Sequence, residues 1–117
     1  MAVALMLAAT ACASNPPAPV AELQAAQQAI AAAERDEAGQ FAPGELGEAR
    51  TRLASANLAV KNENMTSAER LALQSRASAE YASAKTASIK AAAVNADMVR
   101  TNAALVDEMN RKAGAAR

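Results

Sequence analysis

The amino-acid sequence predicts an all-α, coiled-coil-like protein in which two short helices pack antiparallel on one long helix. Alanine accounts for 36 of the 117 residues, whereas aromatic residues make up only 2%. This composition suits a thin bundle of closely spaced helices better than a thick globular core. No stretch alternates between apolar and polar residues over a useful length, so we expect no β-sheet. The predicted helices cover about residues 20–38, 43–62 and 67–112, within a helical domain of residues 20–113.

The long helix is the best-defined of the three, because the chain has neither glycine nor proline from Thr66 to Lys112. Thr66 and Glu69 have the spacing of a capping box at its start, and Gly114 lies where a helix stop is expected. A helix of about 46 residues would be roughly 69 Å long at 1.5 Å per residue. It would therefore be more than twice as long as either of its predicted neighbours.

The boundaries of the two short helices are indicated by glycine and proline. Gly39 predicts the end of the first helix, and Pro43 predicts the first turn of the second, where its missing N–H costs nothing. Phe41 then has the spacing to pack on Leu46 as a hydrophobic staple. The second helix continues with apolar residues at alternating spacings of three and four, namely Leu46, Ala49, Leu53, Ala56 and Val60. This seam predicts packing against the neighbouring helices.

Two apolar seams with a seven-residue repeat run along the long helix, so it can face two neighbours. The first seam consists of Tyr81, Ala84, Ser88, Ala91, Asn95, Met98, Asn102, Leu105 and Met109. The second seam consists of Ala82, Ile89, Ala92, Ala96, Val99, Ala103 and Val106. Asn95 and Asn102 have two interpretations: solvent exposure beyond the end of the bundle, or setting the register of an oligomer. Tyr81 is predicted to be half-buried core.

The far half of the long helix predicts a partner-binding face. Two helices of roughly 30 Å each can cover only the half up to about Lys85. The remaining half still carries large apolar side chains within about 140° of the helical wheel. These residues are Val94, Met98, Val99, Leu105, Val106 and Met109. We expect them to bind another copy of the chain or another protein.

The amino terminus has the features of a secretory signal with a lipidation site. A short apolar run precedes the small residues at positions 9–11, which predicts a signal peptide over residues 1–11. Cys12 is the only cysteine, and the residues before it resemble the lipobox of bacterial lipoproteins. Residues 12–19 then form a proline-rich tether that cannot be helical. A plain signal peptide with a chance cysteine and a frayed apolar terminus are the alternative interpretations.

Charge and composition argue against chemistry and against nucleic acid. Residues 18–39 carry four acids and one base, and residues 69–117 carry five acids and eight bases, which suggests neighbouring helices with complementary faces. The basic side chains of the long helix scatter around it, so we expect no nucleic-acid binding. Without any histidine, no triad or histidine-containing metal site can be built. We predict no enzyme activity, no catalytic or metal site and no cofactor.

The chain resembles the small alanine-rich bacterial lipoproteins of a domain-of-unknown-function family. The resemblance rests on Cys12 with its tether, on the element Ala42-Pro43-Gly44-Glu45-Leu46, on Ala68-Glu69-Arg70-Leu71-Ala72, and on the alanine-rich helix after Tyr81. Members of this family are often encoded near, or fused to, OmpA-like peptidoglycan-binding domains. The resemblance implies a lipid-anchored protein on the periplasmic face of the outer membrane, and it supplies no catalytic residues.

Three functions are compatible with these patterns. The first is a scaffolding lipoprotein whose long helix contacts another copy or an envelope protein such as an OmpA-like one. The second is a helical hairpin that binds lipid or a small molecule. The third is a peripheral helix lying flat on a membrane, which the scattered charge and the alanine, valine and methionine content disfavour.

Overall fold

In a computed structural model, which describes residues 16–117, the protein is a bundle of four helices and the described chain contains no strand. The helices are α1 (Val20–Arg35), α2 (Ala38–Phe41), α3 (Pro43–Lys61) and α4 (Met65–Ala115). The all-α prediction with one long helix and shorter ones packed on it is confirmed. The predicted signal peptide and Cys12 lie outside the described residues.

Consecutive long helices run in opposite directions. Arg50 of α3 donates to Glu34 near the end of α1 (Nη2–Oε1 2.7 Å), and the Ser75 hydroxyl of α4 donates to the carbonyl of Ala49 in α3 (2.7 Å). The α4 partners of Glu45 and Arg52 in α3 are Lys85 and Ser78, so α4 runs backward along α3. The end of α1 lies beside Lys90 and not beside the start of α4. The predicted antiparallel packing against α4 is therefore found for α3. Helix α1 instead runs parallel to α4, so the three longer helices have an up-down-up order.

The core of the bundle is built mainly from alanine. The buried residues of its main cluster are Ile30, Ala33, Ala38, Ala42, Leu46, Ala49, Ala79 and Ala82. Leu46 is the largest fully buried side chain, with 1% of its surface exposed. Small side chains at the other buried positions let the helix axes approach closely, so Leu46 and Ile30 are the large side chains that fill this buried cluster.

The connection after α1 differs from the sequence prediction. Helix α1 ends at Arg35, and Glu37 adopts a left-handed conformation with φ 71°. Gly39, which was expected to end this helix, lies inside the one-turn α2 with no positive φ. The prediction was wrong because it assigned the left-handed position to the nearest glycine. Pro43 does occupy the first turn of α3, as predicted.

The ends of α4 also differ from the prediction. Its N-cap is Asn64, whose side-chain oxygen accepts from the backbone N–H of Ser67 (3.2 Å). The predicted capping box at Thr66 is wrong, because the helix has already begun at Met65. Gly114 does not stop the helix, which continues to Ala115. With 51 residues, α4 is about 76 Å long at 1.5 Å per residue.

Candidate protein-binding surface on α4

The cover that the shorter helices provide for α4 ends at Lys90. Its ammonium pairs with a carboxylate oxygen of Glu37 (2.6 Å), donates to the carbonyl of Asp36 (3.0 Å) and lies 5.4 Å from the ring centroid of Phe41. Beyond it, every residue from 91 to 115 is exposed except the half-buried Glu108. We call residues 91–115 the overhang, which is about 38 Å long at 1.5 Å per residue.

The six predicted partner-binding residues all lie on the overhang and are all exposed. Their exposed fractions range from 54% for Val106 to 69% for Met109. They are Val94, Met98, Val99, Leu105, Val106 and Met109. At 100° per residue they occupy one side of the helix, and the ion pairs Asp97–Arg100 and Glu108–Arg111 lie outside that arc. The overhang is therefore an amphipathic helix with its apolar face in solvent. That these residues bind a partner stays a prediction.

The structure distinguishes the two seams of α4. Ala82 of the second seam is fully buried against the shorter helices. Every residue of the first seam is exposed, including Tyr81, with 60% of its surface in solvent. The prediction that Tyr81 is half-buried core was wrong. We call the first seam, from Tyr81 to Met109, the outer seam.

The outer seam lies on the side of α4 that faces away from the bundle. The buried residues of α4 are Ala68, Ala72, Ser75, Ser78, Ala79, Ala82 and Thr86. At 100° per residue, the middle of this buried set and the middle of the outer seam are about 180° apart. The exposed seam therefore begins beside the bundle, before the overhang. The seven-residue column from Tyr81 to Met109 was evident in the sequence, but the exposure of its first part was not predicted, because Tyr81 was expected to be half-buried.

Ion pairs fix the shorter helices on α4 and so determine where the cover ends. The Lys85 ammonium donates to the carboxylate of Glu45, and this bond joins the start of α3 to the middle of α4. The hydrogen bond holds the pKa of Glu45 below its usual value and raises the pKa of Lys85. The Arg52 guanidinium donates to the hydroxyl of Ser78 (2.9 Å) on the same interface. The Glu37–Lys90 pair joins the acidic segment of residues 18–39 to the basic part of the chain, in line with the predicted complementary charge.

The described residues include no group of three or more side chains that could hold a metal ion. Two shallow grooves lie between α1 and α4, and the second includes Thr86, whose buried hydroxyl makes no hydrogen bond. No helix among the described residues is both long and apolar enough to cross a bilayer. The exposed side of α4 carries all six large apolar residues of the overhang and is the candidate site in this part of the chain.

These features define a small α-helical bundle whose longest helix projects an amphipathic segment past its neighbours. Comparison with protein families gives a match over residues 21–98, more than half of the chain, to the family described as domain of unknown function (DUF4398). The chain belongs to this family. Comparisons with curated proteins and with solved structures gave no match.

Proposed function

We propose that the protein is a non-enzymatic lipoprotein of the outer membrane that acts as a scaffold on the periplasmic side. Its lipid anchor would be Cys12, and its working surface would be the exposed side of α4. The observation that carries the proposal is the apolar face of the overhang, which no described part of the chain covers. Catalysis, a cofactor and nucleic-acid binding form no part of the proposed function.

Burial of this face by a partner would be energetically favourable. Burying a large aliphatic or methionine side chain completely contributes about 1.5–3 kcal/mol. Six such side chains that are more than half exposed offer a partner several times that amount, before the cost of association. Most helical stability in proteins comes from tertiary packing of an amphipathic face, and the face of the overhang is exposed. A partner that covers the overhang would therefore stabilise the helix as well as the interface.

The direction of the chain suits an anchored scaffold. Helix α1 runs parallel to α4 and ends beside Lys90, so Val20 lies toward the Met65 end of α4. The tether before Val20 therefore joins the bundle at the end opposite the overhang. If Cys12 holds the chain at the membrane, the overhang points away from its point of attachment and into the periplasm.

Photocrosslinking in cells tests the protein contact. A photoreactive residue at Val94 or Met98 should capture a specific protein, because these side chains belong to the apolar face. The same residue at Ala93 or Ala104 is the matched control, since both positions are exposed but lie on the opposite side of the helix. Equal capture at all four positions, or none at any, would contradict the scaffold.

The anchor and the lipid-binding alternative need separate measurements. Mass spectrometry of the mature amino terminus should find an acylated Cys12, and the Cys12→Ser variant should leave the membrane fraction. Vesicles with anionic headgroups, added to the full-length Cys12→Ser protein, test the alternative in which the apolar face binds lipid. Vesicle binding that is lost on Met98→Asp substitution would favour that alternative over a protein scaffold.

A further inference from the structure

We propose that a second copy of this chain docks on the outer seam, with the two α4 helices parallel and in register. The inference rests on the proposed function and names the partner of the same surface. It extends that surface from the overhang back along the bundle to Tyr81. The pairing would be a two-stranded coiled coil between the outward sides of the two molecules.

The position of the outer seam permits this pairing without steric conflict. Because the shorter helices cover the opposite side of α4, a second α4 can lie along the whole seam from Tyr81 to Met109. In a heptad abcdefg, the a positions are Tyr81, Ser88, Asn95, Asn102 and Met109, and the d positions are Ala84, Ala91, Met98 and Leu105. All nine are exposed in the single chain. They have the spacing that a coiled coil requires.

The two asparagines determine the partner and its direction. In a parallel, in-register pair each a residue faces its own copy, so Asn95 meets Asn95 and Asn102 meets Asn102 across the interface. Each pair of amides can then hydrogen-bond, and such pairs specify register at some cost in stability. In an antiparallel pair the a residues face d residues, and the d column contains no asparagine. The buried amides would then lack a partner, which is unfavourable.

The positions beside the seam fit the same arrangement. In a parallel pair a g residue lies near the e residue five positions later in the other copy. Val94 therefore approaches Val99 of the second copy, and Thr101 approaches Val106. These contacts, with Met98, Leu105 and Met109 in the seam, would cover all six apolar residues of the overhang in one geometry.

The charges at the flanking positions do not oppose this pairing. Glu80 and Lys85 are the g and e residues next to the first layers, and in the parallel pair Glu80 of one copy lies near Lys85 of the other. Glu108 is the remaining charged flanking residue, and it would lie near Ala113 of the second copy. Lys112, at the next d position, ends the seam because two ammonium groups would meet there.

The size of the seam predicts a weak and reversible dimer. The seam spans 29 residues, about 44 Å along a helix about 10 Å wide. The area buried from both copies is therefore on the order of 1,000 Å², the lower limit for a specific interface. Alanine, serine and asparagine fill five of the nine layers, so the contact offers less apolar area than a leucine seam does. In the parallel pair, the tethers of both copies also lie at the same end, as two copies anchored on one membrane require.

Sedimentation of the full-length Cys12→Ser protein tests the proposal. Measurements should span about 1 µM to about 1 mM, since this range brackets the dissociation constants of weak complexes. The wild-type seam should give a monomer–dimer equilibrium. Asn102→Asp and Asn102→Lys should each weaken dimerisation about tenfold or more, because like charges would face each other across the seam.

Mixing the two variants provides the decisive measurement. An equimolar mixture of Asn102→Asp and Asn102→Lys should form heterodimers at concentrations where each variant alone is monomeric, because only in register do these side chains meet. Asn110→Asp, the same substitution on the α4 surface outside the seam, should leave dimerisation unchanged. Circular dichroism of each variant establishes that it is folded, and position 102 is exposed in the single chain.

The outcomes separate this inference from the proposed function. A wild-type monomer at every concentration, or a mixture that does not dimerise better than its components, overturns the parallel pairing. If the purified protein is monomeric but Val94 still captures another protein in cells, the scaffold stands and only the second copy is excluded. If Val94 captures nothing in cells, the scaffold fails, whatever the purified protein does.

Discussion

Replacing Leu46 by alanine should remove a large part of the stability of the bundle. Leu46 is 1% exposed and lies among small residues of three helices, including Ala33, Ala49 and Ala79. Alanine neighbours have no side-chain torsions through which they could fill the space left by the isobutyl group. The substitution should therefore fall toward the upper end of the usual range for Leu→Ala, at about 3–5 kcal/mol.

That loss is large compared with the expected stability of the whole protein. Domains of this kind unfold with a free energy of about 5–15 kcal/mol, and each kilocalorie corresponds to roughly 4–8 °C in Tm for a chain of this size. The Leu46→Ala variant should thus melt more than about 10 °C below the wild type. Urea titration followed by circular dichroism at the helix band, with the full-length Cys12→Ser protein as reference, gives the free energy directly.

Leu58→Ala is the matched control for this measurement. It is the same substitution in the same helix, but Leu58 is 57% exposed. Its cost should stay below about 1 kcal/mol, as for other surface changes. A loss below about 1 kcal/mol at Leu46, or equal losses at both positions, would refute the view that Leu46 fills a space in the alanine-rich core that its neighbours cannot fill.

Three further predictions concern the start of α4, the link between α3 and α4, and the overhang. Asn64→Ala should lower the free energy of unfolding by about 1 kcal/mol through loss of the N-cap, whereas Thr66→Ala should not; equal effects in urea titrations would restore the capping-box assignment. Because the pKa of Glu45 is lowered and that of Lys85 is raised from 4.5 and 10.5, their pair stabilises the fold between these two values. The stabilisation is lost as pH falls through the pKa of Glu45 or rises through that of Lys85. Glu45→Gln should therefore lower Tm at pH 7, and the difference should shrink as pH falls below 4.5 and through the lowered pKa of Glu45; a constant difference would contradict this. In dilute protein the amides of the overhang should exchange faster than those of the covered half of α4, because nearly all residues of the overhang are exposed; protection that is uniform along α4 would contradict this assignment.

The sequence predicted the parts of the fold that depend on strong local signals. Proline at the start of α3 and the long segment without glycine or proline located the two largest helices. The turn after α1 was missed, because a glutamate occupies the left-handed position that a pattern assigns to glycine. The sequence did not identify Asn64 rather than Thr66 as the N-cap of α4. Both residues are good caps, and only the backbone path decides which one begins the helix.

The site was predicted only in part, for a reason that lies in alanine itself. Alanine is tolerated both in a close helix contact and in water, so two alanine-rich seams on one helix look equally suited to the core. The large residues of the overhang were identified because leucine, valine and methionine leave no such ambiguity. Tyr81 was misplaced because its size suggested burial, while the neighbouring Ala82 forms the actual contact.

The sidedness of α4 explains the exposed face better than the length of the shorter helices does. The sequence-based prediction was that the overhang is exposed because the two shorter helices are too short to reach it. Longer versions of α1 and α3 would extend along the buried side, where the residues after Lys90 are Ala93, Asp97, Arg100, Ala104, Asp107 and Arg111. That continuation is charged, and all of these residues are exposed. The covered side thus becomes polar where the bundle stops, while the opposite side stays apolar to Met109. No extension of the bundle would bury Met98 or Leu105, so cover for them has to approach from the outer side of α4.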